Sequence, residues 1–208
     1  MIIRKALVLP ALLAAAAAQE APRPFSHKLH LELKLECVSC HSGAPKSTRV
    51  EDNNLPSPEA CRPCHEKVRI KEPRPHLINR FNHSRHLQLG SVGPVIAAAV
   101  AAGRYLGAPG SASGAASAAT SCEACHRGLR ASDAVTGTEF PQMADCLVCH
   151  SKVEPPFSCE YCHSPGPHLK PANHTADFID LHSSGKARLD KTTCAVCHGR
   201  KFRCLGCH

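Results

Sequence analysis

Seven copies of a five-residue word, Cys-x-x-Cys-His, constrain this chain more than any other feature. The first is Cys37-Val38-Ser39-Cys40-His41. The others join Cys61 and Cys64 to His65, Cys122 and Cys125 to His126, and Cys146 and Cys149 to His150. Further along, Cys159 and Cys162 precede His163, Cys194 and Cys197 precede His198, and Cys204 and Cys207 precede His208. All 14 cysteines fall in these words. Zinc ribbons use two pairs per metal, so seven pairs leave one over, and zinc needs no His behind every pair. A disulfide framework suits an exported chain but gives no reason for the histidines. Thioredoxin-like pairs come singly on a βαβ unit, and no such pattern surrounds these. With His at 15 of 208 positions, chance does not place one after all seven pairs.

The spelling is the attachment signature of c-type haem. Two thiols add across the vinyl groups of the porphyrin, and the imidazole that follows lies under the ring as the proximal iron ligand. The words therefore predict seven covalently attached haem c groups. Their proximal ligands are His41, His65, His126, His150, His163, His198 and His208.

The start of the chain reads as an export signal over residues 1–18. Arg4 and Lys5 precede an apolar run over 6–18, and Ala16-Ala17-Ala18 before Gln19 suits signal peptidase. That run is too short for a permanent membrane helix, so no transmembrane segment is expected after cleavage. The expected location is periplasmic, with an extracellular site as the alternative, and covalent haem attachment after export agrees with this.

Composition limits the core. There is no Trp, aromatics are 4%, and Pro and Gly number 17 and 13. The mature chain has roughly 27 residues per haem, below the ~40 that a chain usually needs to fold without staples. The expected fold is mostly irregular with a little α-structure: loops and short helices wrapped around a haem core, with little or no β-sheet. The formal charge of +8 invites a nucleic-acid reading. Each haem brings two propionates, however, and these offset the excess Lys and Arg, so no nucleic-acid partner is expected.

Internal repeats divide the rest. Phe25-Ser26-His27-Lys28-Leu29-His30 is echoed by Phe81-Asn82-His83-Ser84-Arg85-His86, and the spacing from Cys37 to Cys61 recurs from Cys122 to Cys146. Pro73-Arg74-Pro75-His76-Leu77 is echoed by Pro165-Gly166-Pro167-His168-Leu169. The chain is read as haem unit one over 19–75 with two haems, unit two over 76–167 with three, and unit three over 168–208 with two. Unit two carries an Ala/Gly/Ser-rich insertion over 87–120. Within it a helix is expected over 94–106, with Pro at its start and Gly107 after it, followed by a flexible linker over 108–120. The shortness of the apolar stretch and Arg104 argue against a membrane hairpin and favour a surface loop or a short helix capping a haem face. A second helix is expected over 173–184, stopped by Gly185.

Eight histidines lie outside the words: His27, His30, His76, His83, His86, His168, His174 and His182. Seven sixth coordination positions need filling, and these eight are the candidates. Once the signal is removed Met143 is the only methionine, so His/Met ligation is nearly absent and bis-His iron of low potential is expected.

The words at residues 25–30 and 37–41 resemble those of class III multihaem cytochromes c of the cytochrome c3/c7 type, small periplasmic tri- and tetrahaem carriers. The resemblance extends as repeats over most of the mature chain, excepting 87–120, although seven haems exceed the compact members. It implies that His27 binds the haem on His41 and His83 the haem on His126, while His30 and His86 serve haems further along. It also implies an electron carrier, not an enzyme, in anaerobic or extracellular respiration. Partners would be a quinol dehydrogenase, small cytochromes, a terminal reductase or an outer-membrane conduit. Rival readings are a nitrite, hydroxylamine or sulfur-oxyanion reductase, and a subunit of an extracellular cytochrome filament or conduit. Every word ends in His, which argues against an open catalytic iron, and a monomer is favoured because the internal His supply suffices.

Overall fold

The computed structural model describes residues 25–68, 78–137, 139–150, 159–166, 169–186 and 191–200. The expected signal at 1–18, His76, His168 and the seventh word with Cys204, Cys207 and His208 lie outside the described residues.

The architecture is one of short helices and loops, as the composition implies. Helix α1 spans His27–Glu32 and α3 spans His83–Gln88. Each begins at the first His of a Phe-x-His-x-x-His word, because the residue before it is an N-cap. Ser26 Oγ accepts from the Leu29 N–H at 3.1 Å, and Asn82 Oδ1 accepts from the Arg85 N–H at 2.8 Å. One helical turn then sets both histidines of each word on one face. A left-handed Lys34, φ 62°, turns the chain after α1.

The six attachment words among the described residues are helical turns. They form α2 (Cys37–Cys40) and end α5 (Ser121–Cys125), α6 (Met143–Cys149) and α8 (Lys191–His198). The His N–H donates to the first Cys carbonyl in each of the first five words, at 2.8 Å for His41 and 3.0 Å for His65. A closed turn puts both sulfurs and the imidazole on the same side. Among the described residues the only β-pairing is an isolated antiparallel bridge between Ile78 and His163.

The insertion folds differently from its sequence reading. Helix α4 runs Gly93–Ala101 and stops short of the expected end at 106. Gly103 takes φ 66°, its N–H donates to Val100 O, and the Arg104 N–H donates to Ala99 O. That left-handed glycine cap satisfies the last carbonyls and ends the helix early. Tyr105 turns inward instead of continuing it. The tract over 108–120 is a series of packed turns rather than a free linker: Ala115 is buried against α4, and a Cβ on Gly93 would collide with the Ala115 carbonyl. Helix α7, Phe178–Ser183, begins later than the expected 173, and Gly185 at φ 68° stops it as expected.

The polypeptide core is correspondingly small. Ile96, Tyr105, Ala115 and Ala144 form it, with Val92, Ala112, Val148 and Val196 packed around them. A buried polar network ties the insertion to the third and fourth words. The Tyr105 hydroxyl donates to Asp145 Oδ1 at 2.9 Å, and Arg127 donates to both Asp145 oxygens at 3.0 and 2.7 Å. Arg200, just past the sixth word, donates to Tyr105 O at 2.7 Å.

The first two repeats are interleaved. Helix α1 packs on the 3-10 turn Leu129–Ala131 behind the third word, and α3 packs on the 3-10 turn Ala44–Lys46 behind the first. The contacts are reciprocal: Lys28 N–H donates to Ser132 O at 3.0 Å, and Ser84 N–H donates to Ser47 O at 3.0 Å. These residues hold equivalent places in the two repeats, so an internal pseudo-twofold relates the first and third words.

Candidate haem sites

The ordering begins with aromatic stacking. Phe25 stacks on His30 with centroids 4.5 Å apart and meets His27 edge-on at 4.8 Å. Phe81 repeats this with His86 at 4.5 Å and His83 at 4.7 Å. One Phe thus sets two imidazoles nearly perpendicular to each other. Further along the chain Phe178 stacks on His174 at 4.7 Å and on His182 at 5.7 Å.

Hydrogen bonds then set the tautomers. His30 and His86 each hold a backbone carbonyl through Nδ1 at 2.7 Å, those of Ser26 and Asn82. His41 Nδ1 meets Asn54 O at 2.7 Å, His126 Nδ1 meets Glu139 O at 3.1 Å, and His174 Nδ1 meets Asn173 Oδ1 at 2.8 Å. A carbonyl oxygen only accepts, so Nδ1 carries the proton and Nε2 keeps a free lone pair. That is the form in which imidazole binds a metal.

The rings meet in pairs, each joining a His of an attachment word to one outside. His27 and His41 have centroids 6.4 Å apart with planes 16° from parallel. His30 and His65 are 6.2 Å apart, His86 and His150 6.3 Å, and His174 and His198 6.0 Å. Direct stacking in this molecule is far closer, as Phe25 on His30 demonstrates. Metal–imidazole bonds are about 2.0 Å, so two on opposite sides of one ion place the ring centres about 6 Å apart. The donor set and the spacing fit haem iron held between two histidines.

His83 and His126 also act on each other. Burial, then His126, lowers the His83 pKa, as burial, then His41, lowers that of His27. The words are also neighbours of one another. Burial raises the thiols of Cys37, Cys61, Cys146 and Cys197, and in each case a thiol from another word adds to it. The added thiols are Cys122 beside Cys37, Cys40 beside Cys61, Cys125 and Cys162 (after Asp145) beside Cys146, and Cys159 beside Cys197.

Residues 23–78 match the family model of cytochrome c7 and related cytochrome c. Over these residues the match supports a multihaem electron-transfer cytochrome with covalently bound haem c. It spans the first Phe-x-His-x-x-His word and the first two attachment words, and stops before the second Phe-x-His-x-x-His word. The small helices and loops of the described residues agree with a cytochrome c7-like fold. No curated protein and no solved structure matched. Among the described residues no helix is long and apolar enough to cross a membrane.

Of the candidate residues, the fold brings His27, His30, His83, His86 and His174 to attachment-word histidines. His182 lies on Phe178, one ring removed from His174. The supporting residues Ser47, Asn54, Ser132 and Glu139 were missed in the sequence. Aligning the first and third words would have found them, since Ser47 and Ser132, and Asn54 and Glu139, stand at equal distances behind His41 and His126.

Proposed function

We propose that the chain is a heptahaem c-type cytochrome that relays electrons through bis-His, low-potential haems in anaerobic or extracellular respiration, after export to the periplasm. The observation that supports this best is the set of four imidazole pairs at 6.0 to 6.4 Å, each uniting one word histidine with one outside. Bound haem supplies a one-electron iron couple. The chain holds His30, His41, His86, His126 and His174 in one tautomer through Nδ1 and fixes the planes of His30, His86 and His174 with a stacked Phe. Two histidines on each iron would leave it no open position, so that it would transfer electrons without binding substrate.

On this reading His27 faces His41, His30 faces His65, His83 faces His126, His86 faces His150 and His174 faces His198. The haems on His163 and His208 draw their second ligands from His76, His168 and His182. The thiol neighbours support a relay in the order second, first, third, fourth, fifth and sixth word. Electrons would enter from a quinol dehydrogenase or small cytochrome and leave to a terminal reductase or an outer-membrane conduit, with the protein acting as a monomer.

Intact mass and the ferric absorption spectrum of protein made with a haem-attachment system test this. Seven covalent haems, all low-spin, are the expected result. A smaller load, bound zinc, or one haem that takes up carbon monoxide stoichiometrically would refute it.

A further inference from the structure

Glu139 is a buried carboxylate. It is 7% exposed, with no cation paired to it among the described residues. Its carboxylate accepts from the N–H groups of Gly137 at 2.9 Å and Thr136 at 3.2 Å, and from the Ser132 hydroxyl at 2.8 Å. The Thr136 hydroxyl adds a bond at 3.2 Å. Every partner is a donor, which is the environment of an ionised carboxylate.

Its backbone carbonyl holds His126 Nδ1 at 3.1 Å, while its side chain faces the docking site of α1. Ser132, which it grips, is where α1 docks through Lys28 and Ser26. His27 on α1 has a buried Nδ1 without a hydrogen-bond partner among the described residues, and Glu139 acts on that ring in the sense that favours positive charge. The related site is built from neutral groups. There Ser47 Oγ lies 3.5 Å from His83 Nδ1, and Asn54, at the place equivalent to Glu139, donates to Ser47 Oγ at 3.3 Å. The carboxylate acting on His83 is Asp52, which is partly exposed and beside Arg49 at 3.9 Å. Asp52 is the more exposed of the two and has that arginine beside it, whereas Glu139 has no paired cation among the described residues.

We propose that the Glu139 carboxylate sets the potential of the haem site between His27 and His41, holding it below the pseudo-equivalent site between His83 and His126, where the neutral Asn54 side chain takes the corresponding place beside Ser47. This rests on the haem reading above. A fixed negative charge near the iron stabilises the ferric over the ferrous state, because only the ferric centre carries net positive charge. The repeat thus becomes a pair of similar sites with unequal affinity for an electron, which biases the direction of transfer between the first and third words.

The test is a redox titration of the holoprotein followed by haem-methyl NMR, which identifies each haem by its contacts to His27 or His83. Mass and spin state are read first on the unaltered protein, so that failure of the haem reading is seen separately. Glu139→Gln is expected to make the His27 haem about tenfold more reduced at a fixed ambient potential, a shift of about 59 mV for one electron. Asn54→Asp is expected to move the His83 haem about as far the other way. If Glu139→Gln leaves every haem unshifted, or shifts only the His83 haem, the proposal is overturned. If that variant loses a haem, Asn54→Asp decides alone: a lowered His83 haem supports the proposal and an unmoved one overturns it.

Discussion

His27 and His41 face each other across 6.4 Å with their planes 16° apart, one at the start of α1 and the other at the end of the first attachment turn. Neither ring is close enough to be the other's stacking partner. The spacing suits a metal held between them, and three more pairs share it.

Removing one member of a pair should open one haem and no more. His27→Ala, His30→Ala, His86→Ala and His174→Ala are each expected to convert a single haem to a high-spin, carbon monoxide-binding form. Electron paramagnetic resonance and carbon monoxide titration check this. A variant that stays wholly low-spin contradicts the pairing of that histidine.

The stacked phenylalanines hold the imidazoles in place. Phe81→Ala is expected to cost about 1 kcal/mol for the lost ring contact, with a further loss from reduced burial. A rise in high-spin fraction, from His86 and His83 losing their fixed planes, should accompany it. Thermal unfolding and the ferric spectrum measure the two effects. Phe81→Leu, which keeps bulk but not the ring, should recover part of the stability and little of the spin state.

Asp145 joins Tyr105, Arg127 and the start of α6 in one buried cluster. Its exposure is 4% and that of Arg127 is 10%. Asp145→Ala strands the guanidinium and the tyrosine hydroxyl, and is expected to destabilise the fold by about 3–5 kcal/mol. Denaturant unfolding of holoprotein should register this as a lower midpoint at unchanged haem load.

Gly93 and Gly103 need to be glycine for different reasons. A side chain at Gly93 meets the Ala115 carbonyl, so Gly93→Ala is expected to cost about 1–3 kcal/mol through overpacking. At Gly103 nothing stands near an added Cβ, but φ is 66°, so Gly103→Ala is expected to cost about 1 kcal/mol through backbone strain alone. Unfolding midpoints of the two variants should rank in that order.

Much of the site was legible because attachment chemistry is local. Two thiols and an imidazole must share one helical turn, so Cys37, Cys40 and His41 declare themselves by spacing alone. The histidines of the repeated Phe-x-His-x-x-His words were legible for the same reason, being one turn apart behind an N-cap. The helix ends in the insertion were harder. Gly103 and Gly107 are both plausible stops, and the choice depends on Tyr105 turning in to reach Asp145, forty residues away.

By itself the sequence determined the attachment turns, the supply of second histidines and the scarcity of any other core, since each follows from neighbouring residues or from composition. The tertiary structure alone decided which ring faces which. His30 meets His65 and His86 meets His150 only because the chain between them folds back, and no periodicity encodes that return. It also decided that α1 docks behind the third word and α3 behind the first, which brings Glu139 close to a histidine of the other repeat. A charge acts through space over several ångströms regardless of chain distance, so its effect on His27 could be read only once the repeats were interleaved.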